Sequence, residues 1–288
     1  MDYLIHLAIL VGIYSILAIS LNLVVGYTGL LSITQAAFYG IGAYATAILL
    51  TTTGVNFFVS VLLGIVITAV VSLAIGYILS KFRGDYYALG SFGFNIIVFS
   101  IFLNWQSLTR GPLGIPGIPR PEIFGFTFSE NIHFLLLTAV FAIVIFLLAQ
   151  YITRSSFGRV LQAIREDEKV TQVFGYNTIF FKLTIFVIGA CMASVAGSLF
   201  ASYITYVDPS SFTLAESIFI LSVIVLGGLA DNTGAVCGAI FLILLPEILR
   251  FVGFPTDVAA QLRQATYGLI LILLMLYRPQ GLMGKYKI

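Results

Sequence analysis

Apolar blocks of about 20 residues recur along this chain and are separated by short polar or glycine-rich breaks. A helix of this length crosses a hydrocarbon core of about 30 Å and satisfies its own backbone hydrogen bonds there. The blocks lack the alternating polarity of a transmembrane β-barrel. The pattern therefore predicts an all-α, polytopic bundle of transmembrane helices that forms a single domain, residues 1–288.

The breaks between the blocks predict roughly eight to ten spans. Nine can be delimited, at 4–25, 34–51, 57–80, 86–104, 132–152, 180–204, 213–230, 234–250 and 265–277. The first block has no basic leader and no small-residue cleavage site, so it is interpreted as a first span and not as a signal peptide.

Basic residues predict the orientation of these spans. If the loop 154–178 is cytoplasmic, strict alternation leaves only Arg110, Arg120, Arg250 and Arg263 outside, out of 14 lysines and arginines. This positive-inside bias predicts an outer N-terminus and a cytoplasmic C-terminus in the cell (inner or plasma) membrane. A re-entrant stretch around residues 26–35 would reverse the first helix without moving a basic residue.

The loop 154–178 carries the only sustained charged stretch in a chain that is 9% charged and 60% hydrophobic. Its spacing is compatible with a helix in water between two spans, which favours docking or regulation over a plain connector. Helical spacing places an apolar stripe on one side of this loop and charged side chains outward. The stripe comprises Val160, Leu161, Ile164 and either Val173 or Phe174, and the outward residues are Arg159, Arg165, Glu166 and Lys169.

A second loop, 105–131, is predicted on the outer face and contains four of the chain's eight prolines. Proline fixes φ and removes a backbone donor, so this loop is expected to be stiff and irregular. It is either a fixed surface for an extracytoplasmic partner or a rigid connector.

Small residues recur at every fourth position at Gly189, Ala193, Gly197 and Ala201. In lipid this spacing lets two helix backbones approach closely, so this helix is expected to be central in the bundle.

Glycine-rich breaks at 26–29 and 227–234 indicate interrupted helices or turns. A turn at the cytoplasmic face is the preferred interpretation of 227–234. Asn22 and Gln35 flank the first break, and they belong either to the translocation path or to an ordinary turn.

Glu216 and Glu247 are expected near the outer ends of their spans as interfacial or capping groups. No ionisable group is expected at mid-span, so the energy for transport is expected to be supplied from elsewhere. The chain has no phosphate-binding loop and no hydrolase motif. Two cysteines and two histidines, all isolated, predict no metal and no cofactor. The chain is thus expected not to be an enzyme and to contact membrane lipid, with no nucleic-acid partner.

Five segments spread over nearly the whole chain resemble one known family. They are NLVVGYTGLLSITQAAFYGIGAY at 22–44, GPLGIPGIP at 111–119, SFGRVLQAIREDE at 156–168, VLGGL at 225–229 and RPQGL at 278–282. The chain resembles the permeases of branched-chain amino acid ABC transporters, in their LivM-like branch.

This resemblance implies an ABC importer permease fold and a multi-subunit importer. An extracytoplasmic solute-binding protein would deliver the solute to a LivM-like and a LivH-like permease, and two separate ABC ATPase subunits would hydrolyse ATP. The loop 154–178 would be the coupling segment, although Lys169–Thr171 stands where many ABC importers carry Glu-Ala-Ala. The residues implied in ATPase coupling are Arg159, Leu161, Ile164, Arg165, Glu166, Glu168 and Gly175.

The implied substrate is a branched-chain or related neutral amino acid. Urea or a short amide is the alternative within the family, because similar permeases carry such solutes. A stand-alone secondary transporter or channel is the alternative outside it. A membrane enzyme is disfavoured, since no catalytic cluster is visible in the sequence.

Overall fold

Helices dominate the part of the chain that the computed structural model describes, which is residues 2–82, 84–123, 126–128, 130–251, 268, 269, 272, 276 and 281–283. The long helices are α1 Asp2–Leu21, α2 Gln35–Ile48, α3 Phe57–Leu79, α4 Asp85–Asn104, α6 Asn131–Arg154, α9 Thr178–Ile204, α10 Leu214–Gly227 and α11 Asn232–Phe251. The short helices are α5 Gln106–Thr109, α7 Ser156–Glu166 and α8 Glu168–Val173. Two π-helical turns, Asn22–Gly26 and Leu49–Thr53, extend α1 and α2.

Six described helices are long and apolar enough to span a membrane, so the protein is an all-α, multi-pass membrane protein, as predicted. The predicted spans 213–230 and 234–250 correspond to α10 and α11, which are bent by 118° and count as at most one span. Helix α10 is about 21 Å long, too short to cross alone. The described residues therefore hold six or seven spans, below the predicted eight to ten. The predicted span 265–277 lies largely outside them.

Helix α9 is at the centre of the bundle, where it packs against α1, α2 and α3. A Cβ atom on Gly197 would overlap the backbone carbonyl oxygen of Tyr39, and one on Gly42 would overlap the backbone of Ser194. Such contacts require the two backbones to touch, which only small residues allow. The hydroxyl of Thr46 adds a hydrogen bond of 2.7 Å to Ser198 Oγ. The small residues of α9 thus set its distance from α2.

The irregular stretch 29–34 leads into α2 and is held by two side chains of α4. Ser91 Oγ accepts from Ile33 N at 3.0 Å, and Asn95 Nδ2 donates to Ile33 O at 2.9 Å. Asn95 also donates to Ser217 Oγ, which accepts from Ala36 N as well. Since Asn95 lies about 15 Å along α4 from Asp85, both α2 and α10 begin inside the bundle and not at its ends.

The segments that close the opposite end from α7 and α8 are short and irregular. Strand β1, Ile115–Pro116, pairs antiparallel with β4, Tyr206–Val207, and β2, Glu122–Ile123, pairs with β3, Phe126–Thr127. Two 3₁₀ turns, Gly111–Leu113 and Pro209–Phe212, complete these connections.

The connection from α9 to α10 turns inward beyond β4. Phe212, at the end of its 3₁₀ turn, is buried, and its ring centroid lies 5.1 Å from that of Tyr39 on α2. The chain has therefore re-entered the bundle before α10 begins at Leu214.

The far end of α10 is closed by a segment distant in sequence. Leu282 N donates to Leu226 O and Met283 N donates to Gly227 O, both at 2.9 Å. These bonds satisfy two of the carbonyl groups that a helix leaves open at its C-terminus. Part of the 278–282 motif is thereby placed against the bend between α10 and α11.

Replacing Gly197 by alanine should destabilise the protein, because the added Cβ meets backbone atoms that cannot rotate away. We expect the melting temperature of the purified protein in detergent to fall by at least about 5 °C, which corresponds to a few kcal/mol. Gly93→Ala is the matched control, since Gly93 is also inside a helix but a Cβ there has nothing within 4 Å. Equal melting temperatures for the two variants would contradict the proposed backbone contact.

Candidate functional site

The charged stretch of the sequence forms two helices and not one. Ser155 caps α7, its Oγ accepting from Gly158 N, and α7 ends at Glu166. Asp167 is extended, and its carboxylate accepts from Lys169 N at 2.8 Å and Val170 N at 3.0 Å. Aspartate at this position is a preferred N-cap, so Asp167 ends one helix and starts the next. Gly175 closes the segment with a φ of +89°, a conformation that favours glycine.

The predicted apolar stripe of this α7–α8 segment, residues 155–177, is divided by the break. Leu161 and Ile164 on α7 are buried against the bundle. Val173 and Phe174, at the end of α8, are 86% and 77% exposed. A partner that docks on this segment would therefore contact the end of α8, whereas Leu161 and Ile164 hold α7 in place.

The charged residues of the segment also divide into two groups. Arg159, Glu166 and Lys169 are exposed, as expected for a surface that meets a partner. Arg165 instead turns inward, where its Nη1 donates to Gly26 O in the π-helical turn after α1. Its side chain also lies beside Gly29. The predicted outward direction of Arg165 is wrong, because its acceptor belongs to a helix distant in sequence.

Glu168 fixes α8 to the first turns of α9. Its Oε2 lies 2.7 Å from Lys182 Nζ, and its Oε1 accepts from Thr178 Oγ1 at 3.1 Å. Gln172 donates to the same Thr178 hydroxyl at 2.8 Å. Lys182 is 6% exposed, so the carboxylate of Glu168 compensates for the burial of its ammonium group. A lone lysine in an apolar helix signals a buried partner, and this is the signal in the sequence that pointed to the Glu168–Lys182 pair.

Asn22 joins the end of α1 to the bend between α10 and α11. Its Oδ1 accepts from Ala230 N at 3.0 Å, and its Nδ2 donates to Asn232 Oδ1 at 3.3 Å. Asn232 Nδ2 in turn donates to Gln150 Oε1 on α6 at 3.4 Å. Asn22 also opens the π-helical turn whose Gly26 receives Arg165. The α7–α8 segment is thus connected through α1 to the α10–α11 bend.

Gln35 lies at the first position of α2 and is buried. Its Nε2 donates to Ser20 Oγ, so it holds the start of α2 against α1. Asn22 and Gln35 therefore both bond within the bundle, and their place on a translocation path stays a prediction.

The four predicted packing residues all lie on α9. Gly189 lies against Ser20 of α1 and Gly197 against Tyr39 of α2, whereas Ala193 and Ala201 are fully buried.

Glu216 lies deep in the bundle and not at an outer end, so the expectation from sequence is wrong. Its Oε1 accepts from the Tyr14 hydroxyl at 2.5 Å. Tyr14 is about 18 Å along α1 from Asp2, close to the middle of that 25-residue span. The error arose because the stretch 205–213 turns back into the bundle before α10 begins. An ionisable group is therefore present at mid-span, contrary to the prediction.

No candidate metal site is found in the part of the chain that the structure describes. No three His, Cys, Asp or Glu side chains converge there on a common point. Cys191 and Cys237 are free thiols and are partly buried in α9 and α11.

Comparison with known families decides the membership of this chain. The family model described as the permease component of branched-chain amino acid transport systems matches residues 3–277. The chain belongs to this family. It resembles its LivM branch, as the sequence motifs indicated.

Curated relatives agree with this assignment. The chain is 34% identical to the high-affinity branched-chain amino acid transport permease LivM of Escherichia coli, over 97% of this chain and 69% of that protein. The LivM protein of Salmonella typhimurium gives the same identity and coverage. The LivH permease of Escherichia coli is 27% identical, over 96% of this chain and 92% of that protein. No solved structure gives a significant match to the chain.

Replacing Lys182 by methionine should release α8 from α9, because Glu168 loses its charged partner and keeps only hydrogen bonds. Hydrogen exchange of the α8 amides should become about tenfold faster, equivalent to about 1.4 kcal/mol. Lys169→Met makes the same chemical change at an exposed position one residue from Glu168. Mass spectrometry on the purified protein measures both variants, and slow exchange in Lys182→Met would show that the ion pair does not hold α8.

Proposed function

We propose that this chain is the LivM-like permease subunit of an ATP-driven ABC importer for branched-chain or related neutral amino acids in the cell (inner or plasma) membrane. The main support is the α7–α8 segment, which is anchored to the central helix and exposes apolar and charged side chains at its tip. A permease without a nucleotide-binding motif needs such a surface to receive work from another subunit. In this proposal the segment is cytoplasmic and residues 105–131 are extracytoplasmic.

The ATPase surface comprises the exposed end of α8 and the charged residues around it. Val173 and Phe174 provide apolar contact area, and Arg159, Glu166 and Lys169 surround it with charge. A large exposed apolar pair next to charged groups is typical of a protein interface. Each of two ATPase subunits would bind one permease, this chain or a LivH-like partner, and the two permeases would form the translocation path together. The solute-binding protein would dock on the 105–131 face.

Two connections lead from this surface into the bundle. The Glu168–Lys182 pair joins α8 to α9, which contacts α1, α2 and α3. Arg165 joins α7 to the π-helical turn at Gly26, and Asn22 at the start of that turn holds the α10–α11 bend. A displacement of the segment would therefore reach both the centre of the bundle and its bent helix pair.

The solute is proposed to be neutral overall because the spans carry few charges. Urea or a short amide is the alternative solute, and a stand-alone carrier or channel is the alternative mechanism. The transport assay below distinguishes both alternatives from the main proposal.

Val173→Asp should abolish ATP-dependent leucine uptake, because a carboxylate at the apolar surface weakens binding of the ATPase. The assay uses proteoliposomes with the neighbouring permease, ATPases and binding protein, and measures radiolabelled leucine and urea in parallel. Leu113→Asp is the matched control, since Leu113 is 81% exposed in the segment after α4. We expect the control to co-purify with the ATPases, because Leu113 lies far from α8, and Val173→Asp to lose both co-purification and uptake.

Other outcomes of this assay would contradict parts of the proposal. Uptake of urea but not of leucine would show that the solute is urea or a short amide and not a neutral amino acid. Uptake without ATP, by this chain alone in liposomes, would replace the importer with a stand-alone carrier. ATP-driven uptake that survives Val173→Asp would show that the ATPases do not bind at the end of α8.

Arg165→Gln should separate ATPase binding from transport. The side chain of Arg165 contacts Gly26 and not the exposed surface, so the ATPases should still co-purify with the variant. Leucine uptake should fall at least about tenfold while ATP hydrolysis continues, because a charge-assisted hydrogen bond of about 1.5–3 kcal/mol is lost. Arg159→Gln, at an exposed position on the same helix, should weaken ATPase binding instead. Normal uptake per ATP hydrolysed in Arg165→Gln would exclude Arg165 from this role.

A further inference from the structure

Glu216 on α10 and Tyr14 on α1 lie side by side at a partly exposed face of the bundle. Both side chains are partly exposed, and so is Phe219, whose ring meets that of Tyr14 edge-on at 5.6 Å. Ala215, next to Glu216, is exposed. Helices α1 and α10 therefore present a carboxyl group and a phenol at mid-depth to whatever lies beside this face.

Lipid is an unfavourable neighbour for this face. A charged side chain at the middle of a bilayer costs at least about 2.5–3.5 kcal/mol and tends to face a bundle interior or a water-filled cavity. Long side chains near the ends of a helix avoid this cost by reaching the interface. Glu216 is too deep for its short side chain to do so. The face is thus expected to meet water or another polypeptide.

A second polar group, close to the start of α10, has no hydrogen-bond partner among the residues that the structure describes. The Tyr39 hydroxyl is buried and makes no hydrogen bond, although Tyr39 packs one side of its ring against Phe212 and another against Phe200. An unpaired buried hydroxyl costs about 1–3 kcal/mol, which a bound ligand would recover. One turn before Tyr39, Ala36 N donates to Ser217 Oγ at 2.9 Å, and Ser217 is next to Glu216. The three groups therefore belong to one neighbourhood at the starts of α2 and α10.

We propose that Glu216, Tyr14 and Tyr39 form a mid-membrane site for the protonated amino group of the transported solute. The carboxylate of Glu216 pairs with the ammonium group, and the hydroxyl of Tyr39 accepts a further N–H. The Tyr14 hydroxyl orients the carboxylate by donating to its Oε1. This site rests on the proposed function, because it assumes that an amino acid crosses along this partly exposed face, between two permeases.

The chemistry of the site favours an ammonium group over an amide. A carboxylate and an ammonium group in a dry site form a charge-assisted hydrogen bond, which is about twice as strong as a neutral one. Urea carries no charge and would form only the weaker hydrogen bond between a neutral donor and the carboxylate. The site would thus add discrimination for amino acids within the permease, beyond that of the binding protein.

The test measures equilibrium binding of radiolabelled leucine to the purified permease complex in lipid nanodiscs, without the binding protein. In Glu216→Gln the amide oxygen still accepts from Tyr14, so the melting temperature should not change. Leucine affinity should fall about 10- to 100-fold, the equivalent of losing a hydrogen bond to a charged group. Tyr14→Phe provides the contrast, since it removes the bond between α1 and α10 and should lower the melting temperature. Tyr39→Phe should keep or raise stability and weaken leucine binding.

The outcomes separate this site from the proposed function. If the wild type binds leucine and Glu216→Gln binds it equally well, Glu216 has a structural role and the site is wrong, whatever the uptake assay shows. Absence of leucine binding by the wild type would also overturn the site, while ATP-driven leucine uptake would leave the proposed function standing. Uptake driven by a proton gradient without ATP, and lost in Glu216→Gln, would overturn both in favour of a proton-coupled carrier.

Discussion

The backbone contact between α9 and α2 is the constraint on which the rest of this bundle depends. In a bilayer, lipid tails are as apolar as leucine side chains, so helices associate through close packing and hydrogen bonds. Gly197 lets α9 approach the Tyr39 carbonyl, and Gly42 lets α2 approach Ser194. Because α9 also contacts α1 and α3 and carries Lys182, the position of this one helix fixes both the core and the attachment of α8.

A second constraint follows from the places where helices begin. Helices α2 and α10 start inside the bundle, where their first N–H groups would lack water. Ser217 accepts from the first turn of α2, and Asn95 donates to the carbonyl of Ile33 in the irregular stretch before it. Ser217 belongs to α10 and Asn95 to α4. The interior start of α2 is therefore stabilised by side chains of two other helices. The same arrangement brings Glu216 to mid-depth beside α1.

The sequence predicted those features that depend on composition over a long window. Apolar blocks located the six long spans, because lipid selects continuous hydrophobic helices. The spacing of Gly189 and Gly197 identified the central helix for the same reason. The 118° bend between α10 and α11 was missed, since hydropathy does not record a change of direction.

The candidate sites were predicted less completely than the spans. Charge density located the α7–α8 segment, but the break at Asp167 was overlooked even though aspartate is a strong N-cap. The inward direction of Arg165 and the depth of Glu216 could not be obtained from the sequence. Each depends on a hydrogen-bond partner more than 100 positions away, Gly26 for Arg165 and Tyr14 for Glu216.

The closure of α10 by Leu282 and Met283 has a consequence for how the protein is made. The acceptors, Leu226 and Gly227, are synthesised about 55 residues before their donors. Because synthesis proceeds at roughly 5–20 residues per second, the donors are made several seconds after the acceptors at the end of α10. During that time the α10–α11 bend lacks part of its final support, so the last stage of assembly follows the insertion of the long spans.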